Sequence, residues 1–404
     1  EVVVLCEAGC LCALATTRGT KKYNINHITS TSFRSVAKKI SGKVTLFFVT
    51  SQRKLYFCKK FINAMGKSTE IASLGEFGLI DRLTKGLGRR NASTLTAAGD
   101  DAAVIDLGDR VMLLTTDMLT EGIDFDLSYF PLKHLGYKAV VRGINDILAM
   151  NAKPEQLVVS LGVSAKISVE ALDTLYEGME CAAKELGVDI VGGDTTASMN
   201  GLVINISAVG FARKEDVVYR AGAREHDLIC ITSNLGAAYM GLHLLEREKR
   251  VLKDIDNPEP KFEGYEYLLE RYLKPRARVN VLDALREEGI RPTAMIDLSD
   301  GLASDLRQLC RSSQCGARIY LERIPIARQT SDLAEEMHID PVIAALNGGE
   351  DHELLFTVPL EKQEAVMRLG LVDVIGHITK EESGVILVTP DGEGIALKAQ
   401  AFDR

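Results

Sequence analysis

The sequence predicts a mixed α/β protein long enough for two or more domains. Three observations predict it. Apolar runs of strand length alternate with longer amphipathic stretches, the 404 residues exceed what one core usually organises, and several apolar runs end in glycine and carboxylate. Hydrophobic (46%) and charged (26%) fractions are those of an ordinary globular chain. A net charge of -8, with 6% aromatic residues and no Trp, argues against nucleic acid or an anionic membrane as partner. The eight cysteines show no zinc-type paired spacing, which points to reduced thiols and a cytoplasmic setting. No apolar run approaches the roughly 18 residues of a membrane span.

Charge divides the chain unevenly. Residues 1–64 carry net +9 and the remainder -17, and the first 64 also hold four of the eight cysteines and no Pro. With no sustained period after the opening VVVLC, this segment reads as a basic leader outside the fold, ahead of a start at Met65; a Ser/Thr-rich, acid-poor targeting arm is the alternative. Gly66-Lys67-Ser68 is not a phosphate loop, because Phe61 stands where that pattern requires glycine. Beyond the leader, 65–214 and 215–404 are the expected domains.

From Gly75 to Leu87, Phe77, Leu79, Ile80, Leu83 and Leu87 fall on one helical stripe. AAVID and VMLLTTD follow, joined at Leu107-Gly108-Asp109-Arg110, a Gly-Asp hairpin signal. Pro131 and Pro154 bound a helix containing Leu135, Ala139, Ile144, Ile147 and Leu148. Asn145 and Asp146 lie inside it, and Asp disfavours helix interiors unless it faces solvent or meets a ligand. QLVVSLGV predicts a strand, 168–186 a helix, and VDIV (188–191) a strand running into Gly192-Gly193-Asp194-Thr195-Thr196. LVINISAVGFA and DLICITS predict further strands, with Arg220 in the loop between them, and residues 235–290 are helical in pattern. TAMIDLSDG predicts a strand ending at Asp297, Ser299 and Asp300, with Gly301 opening a helix to about Cys310; Asn347-Gly348-Gly349-Glu350-Asp351 leads into the strand HELLFTV.

Glycine with carboxylate thus recurs at 99–101, 192–194, 297–301 and 348–351, and Asp117 and Asp146 join from neighbouring elements. Each Asp taken singly is an ordinary turn or helix cap. Together they form a set of like charges that needs a cation or hydrogen-bond donors to remain ionised. Oxygen ligands without Cys favour magnesium or calcium over zinc, and the absence of EF-hand spacing weakens calcium. Magnesium shared with substrate phosphates, and no defensible nucleophile order, point to phosphoryl transfer; a structural cation-binding protein is the alternative.

GEFGLIDRL, GDDAAVI, TTDMLTEG, the Asn145-Asp146 helix ending AMNAKP, VGGDTT, VYRAGA, IDLSDGLASDL and NGGEDHELLFTV occur in an order that resembles the thiamine-monophosphate kinase family, from about residue 70 onward. That family is part of the aminoimidazole-ribonucleotide-synthetase-like superfamily. The resemblance implies a two-domain α/β (α+β) fold, the N-terminal domain forming a shared sheet or barrel in a homodimer. It also implies ATP-dependent phosphorylation of thiamine monophosphate to thiamine diphosphate by direct in-line transfer with Mg2+. By the same resemblance, Asp101, Asp117, Asp146, Asp194, Asp297 and Asp300 hold magnesium with oxygens of Thr115 and Thr116, and Asp146 and Asp300 serve the chemistry. Gly193, Asp194, Arg220 and Ser299 contact ATP, while Glu350, Phe402 and the position of Asp124 belong to the thiamine end. The family usually has His where this chain has Asp124, so Asp124 is expected either to face the cationic ring or to be a solvated loop residue. A purine-biosynthesis synthetase of the same superfamily is the enzymatic alternative.

A leader without a core of its own contributes nothing to the fold's stability. Deleting residues 1–64 is therefore expected to leave the melting temperature unchanged, and a calorimetric scan showing a clear drop would refute the assignment.

Overall fold

The computed structural model describes residues 74–253 and 260–399; the expectations for the leader and for Phe402 lie outside them. The apolar alternation becomes, in order, α1 (Gly75–Thr84), β1 (Thr94–Thr96), β2 (Ala103–Asp106), β3 (Val111–Thr120), α2 (Leu132–Ala149), β4 (Lys153–Val163), α3 (Val169–Leu186), β5 (Asp189–Ala197) and β6 (Val203–Ala212). These strands form one six-stranded sheet in the order β1-β2-β3-β6-β4-β5, antiparallel except for the β4–β5 pair. The expected hairpin is present: Ile105 pairs with Met112, and the turn closes where the Leu107 amide donates to the Arg110 carbonyl at 3.0 Å.

α2 is the central helix of this half. Leu135, Ala139, Val140, Val141, Ile144, Ile147 and Leu148 are buried, so it packs on β3, β4 and β6 on one side and on α3 on another. Two glycines set the distance between the helices. A Cβ on Gly136 would stand 2.0 Å from the Leu175 carbonyl oxygen, and one on Gly178 1.9 Å from that of Lys133. α3 starts where the Ser168 side chain accepts from the Ala171 amide and stops at Gly187, whose φ of 67° suits glycine.

β5 differs from its expected form. Gly192, Gly193 and Asp194 were expected at the end of a short strand, but the strand continues to Ala197 because Val158–Val163 of β4 pair in parallel with 192–197. Gly193 has a packing reason to lack a side chain, since its Cβ would lie 1.8 Å from the Val159 carbonyl oxygen. As the outermost strand, β5 leaves Asp194 exposed.

The second half continues with β7 (Leu228–Thr232), α4 (Ala237–Leu252), α5 (Glu266–Leu273), α6 (Val279–Glu287), β8 (Ala294–Leu298), α7 (Leu302–Ser313), β9 (Cys315–Tyr320), α8 (Arg328–Glu336), α9 (Pro341–Asn347), β10 (Glu353–Val358), α10 (Gln363–Leu369), β11 (Val372–Lys380), β12 (Val385–Val388) and β13 (Gly394–Ala396). Its sheet runs β13-β12-β9-β11-β7-β10-β8. β7, β8 and β10 are buried at every position. Glu353 nevertheless lies within β10, neutralised by Arg271 and Arg278 and hydrogen-bonded by Thr232. Because β8 and β10 are antiparallel, the residues leaving β8 and those entering β10 lie at the same end of the sheet. Edge strand β8 also packs against α2.

The glycine contact between α2 and α3 leaves no room for a methyl group. Gly136→Ala or Gly178→Ala is expected to destabilise the protein by about 1–3 kcal/mol in urea titrations, and unchanged midpoints would show that the helices can part without loss.

Candidate active site

Of the four glycine–carboxylate corners, two contribute to a triad together with α2. Asp101 from the turn before β2, Asp146 from α2 and Asp297 from β8 each place a carboxylate oxygen within 4.8 Å of the others. Donors hold each one from outside. Thr115, on the inward face of β3, donates to Asp146 Oδ2 at 2.5 Å, and Asn145 Nδ2 donates to Asp297 Oδ2 at 3.2 Å. Arg220 donates from Nη2 (2.6 Å) and Nε (3.1 Å) to Asp101 Oδ1, while its backbone amide donates to Asp100. Ser313 secures the Arg220 loop by donating to the Arg220 carbonyl at 2.9 Å and accepting from the Gly222 amide at 3.1 Å.

The electrostatics follow from this crowding. Burial, then the charge of Asp297, pushes the Asp146 carboxyl well above its ordinary range. Burial, then Asp101, pushes Asp297 up to about 7. Asp100 rises to about 6, again through burial first and the Asp101 charge second. Asp101 Oδ2 is buried without a hydrogen-bond partner. An oxygen-only triad with an unpartnered buried oxygen and mutually opposed charges fits a hard divalent cation, which would satisfy the orphan oxygen and remove the repulsion.

A second cluster adjoins the first along α2. Lys138, Arg142 and Asp146 are spaced four residues apart and so share one helix face. Lys138 is fully buried, its Nζ 2.6 Å from Glu350 and 4.0 Å from the centre of the Tyr272 ring. Burial would raise the Glu350 carboxyl, but Lys138, His352 and Arg142 outweigh it and hold it well below the usual range. Arg142 donates from Nε to Asp117 at 2.6 Å and from Nη1 to Asp124 at 2.8 Å, with Glu350 3.6 Å away. Asp124 is neither a solvated loop residue nor free, since it also accepts from the Thr120 amide at 2.8 Å.

The remaining expected residues are distributed as follows. Ser299 and Asp300 leave β8 beside Glu350, whose amide donates to the Ser299 carbonyl at 2.8 Å. Asp305 fixes that loop by accepting from the Asp300 and Gly301 amides, both at 3.2 Å. Thr116 points to the opposite face of β3 from Thr115 and donates to Asn205 at 3.2 Å. Gly193 and Asp194 stand on β5, three strands from β3, which at strand spacing is about 14 Å. Within one chain they do not meet the triad. Lys138 and Arg142 were not anticipated, although charges at four-residue spacing leading to Asp146 in an apolar helix were a readable signal.

Residues 99–212 match the AIR synthase related protein, N-terminal domain, and 224–389 the AIR synthase related protein, C-terminal domain. Thiamine-monophosphate kinase of Buchnera aphidicola subsp. Schizaphis graminum is 33% identical over 336 residues, covering 81% of this chain and 98% of that protein. The Aquifex aeolicus thiamine-monophosphate kinase is 32% identical over 293 residues, covering 72% and 88% respectively. The structure of AaThiL complexed with AMPPCP and TMP superposes with a TM-score of 0.70 at 30% identity, over 81% of this chain and 97% of that one.

Asp297 supplies a pH test that needs no turnover. With its carboxyl raised to about 7, the metal-free fold keeps a proton that the unfolded chain releases near 4. The associated stability is whole in acid and lost as pH rises through about 7, where a bound cation takes the place of the proton. The rise in melting temperature caused by magnesium chloride is therefore expected to be small near pH 5 and to grow through about 7. In Asp297→Asn the growth should shrink, with Asp146 left as the raised carboxyl; an increment independent of pH in the unaltered protein would count against cation binding at the triad.

Proposed function

This chain belongs to the thiamine-monophosphate kinase family of AIR synthase related proteins, and we propose from that premise how its residues carry out the family's reaction. The reaction is ATP-dependent phosphorylation of thiamine monophosphate to thiamine diphosphate. An oxygen of the acceptor phosphate attacks the γ-phosphorus of ATP in line, the bond to the β–γ bridging oxygen breaks, and ADP leaves. The acceptor phosphate is already ionised at neutral pH, so no side chain has to remove a proton from the nucleophile.

The triad carries this reading. Asp101, Asp146 and Asp297 would hold Mg2+, with Thr115 orienting Asp146 and Asn145 orienting Asp297. Bound there, magnesium would neutralise charge on the phosphate oxygens as it moves from donor to acceptor. Burial raises the Asp101 carboxyl and Arg220 opposes that rise by charge and hydrogen bonds while leaving its Nη1 edge for an ATP phosphate, and Ser299 and Asp300 leave β8 at its end nearest Glu350. Glu350, held ionised, suits the cationic thiazolium ring.

A homodimer completes the proposal. Leu114 (40% exposed), Met118 (57%), Val158 (36%) and Val191 (60%) lie open on β3, β4 and β5, and β5 has no outer neighbour among the described residues. A second copy covering this sheet would bury them and bring Gly193, Asp194 and Thr116 to an interface. We assign 65–214 to nucleotide binding and dimerisation, 215–404 to the remaining α/β domain, and the reaction to the cytoplasm. No helix among the described residues is long and apolar enough to cross a membrane.

ADP release measured with thiamine monophosphate and, separately, with aminoimidazole ribonucleotide precursors decides the assignment: release only with the latter would transfer the protein to purine synthesis, and release with neither would leave a cation-binding scaffold. Asp146→Asn should fold normally and lose about two orders of magnitude or more in turnover, since it keeps shape and loses charge. Full turnover at limiting magnesium would remove Asp146 from the mechanism.

A further inference from the structure

Resting on the kinase reading above, we propose that Arg142 receives the phosphate of the acceptor, through the guanidinium edge that its carboxylate partners leave open. Nε is engaged by Asp117 at 2.6 Å and Nη1 by Asp124 at 2.8 Å, which leaves Nη2 as the nitrogen that neither carboxylate takes. The side chain keeps 20% of its surface accessible, so it is neither sealed in the core nor free to swing. Two short ion pairs fix the plane of the guanidinium before any ligand arrives, and little rotamer freedom remains to be lost on binding.

Its position suits the role. Arg142 lies one helical turn before Asp146 and one after Lys138, about 6 Å along the α2 axis from each. It therefore stands between the triad, where the donor's phosphates would be held, and Glu350, which suits the acceptor's ring. A phosphate entering there meets Asp117, Asp124 and Glu350 beside the triad, and Arg142 supplies the positive edge that offsets their repulsion. The two other cations of the cluster are committed elsewhere. Lys138 is fully buried with its ammonium on Glu350, and Arg220 uses Nε and Nη2 on Asp101 at the far side of the triad.

The acceptor's two opposite charges are then read by neighbouring groups: Glu350 takes the cationic ring and Arg142 the anionic tail. Asp124 becomes a positioning residue that aims Arg142, which gives a reason for a carboxylate at this place in the loop after β3. Thiamine without its phosphate would leave the Nη2 edge unpaired and lose that part of the binding.

The test separates the phosphate from the ring. Thiamine monophosphate and thiamine are titrated calorimetrically into the full chain with magnesium present and ATP absent, for the unaltered protein, Arg142→Lys and Arg142→Gln. Arg142→Gln should weaken thiamine monophosphate roughly tenfold or more, leave thiamine within about twofold, and raise KM for thiamine monophosphate but not for ATP. Arg142→Lys, which keeps the charge and loses the fork, should fall between and carries the test if the glutamine variant does not fold. Equal weakening of both ligands would reduce Arg142 to a strut between Asp117, Asp124 and Glu350 and overturn the proposal, as would unchanged affinity in both variants. An unaltered protein that binds neither ligand and releases no ADP would instead overturn the kinase reading on which the proposal rests.

Discussion

Three carboxylates that repel one another are held together by parts of the chain that would otherwise have no reason to meet. Asp101 comes from a turn, Asp146 from a helix and Asp297 from a strand of the other sheet. At such separations in a partly dried environment, like charges interact by several kcal/mol, on the order of the protein's entire stability. The fold tolerates this because each carboxylate is tied from behind: Arg220 on Asp101, Thr115 on Asp146, Asn145 on Asp297. Those ties leave the inner faces of the carboxylates turned toward one another, an arrangement that makes sense around a cation.

α2 connects this centre to everything around it. Its apolar sides seat it between a sheet and another helix, and two glycines let that helix approach until backbone meets backbone. With its axis so fixed, the face carrying Lys138, Arg142 and Asp146 has little freedom to rotate. Charge alternates along the row formed with Glu350, Asp117 and Asp124, so each side chain holds the next in place. The polar row is satisfied by neighbours from β3, the loop after it and the approach to β10, which couples the two halves of the chain through one helix.

Much of this was legible in the sequence, for identifiable reasons. Strand and helix periods survive where one face is buried, as in α3 and β6, while α2 and β7 are legible as apolar runs bounded by proline and polar residues. The full length of β5 is not legible, because Gly192 and Gly193 carry no side chains to show a strand period; the parallel partner β4 continues it to Ala197. Local grammar marked glycine beside carboxylate but not which corners meet. That depends on β8 pairing with β10 and packing on α2, contacts between positions far apart in the chain. The role of Arg142 is not legible locally, because its three carboxylate neighbours, Asp117, Asp124 and Glu350, come from distant segments.

The wide spacing of the triad along the chain also orders events in time. Pairings between remote segments carry the largest loop-closure cost, so they close after local hairpins and helices. Asp101 and Asp146 can approach once the first half has collapsed, but Asp297 arrives only when β8 docks on α2. In the absence of a cation that last docking places a third carboxyl in a nearly closed space, where burial and the Asp101 charge push Asp297 up to about 7 and let it keep its proton. The seam between β8 and α2 is thus where remote segments meet last, and a cation held by all three carboxylates would tie that seam shut.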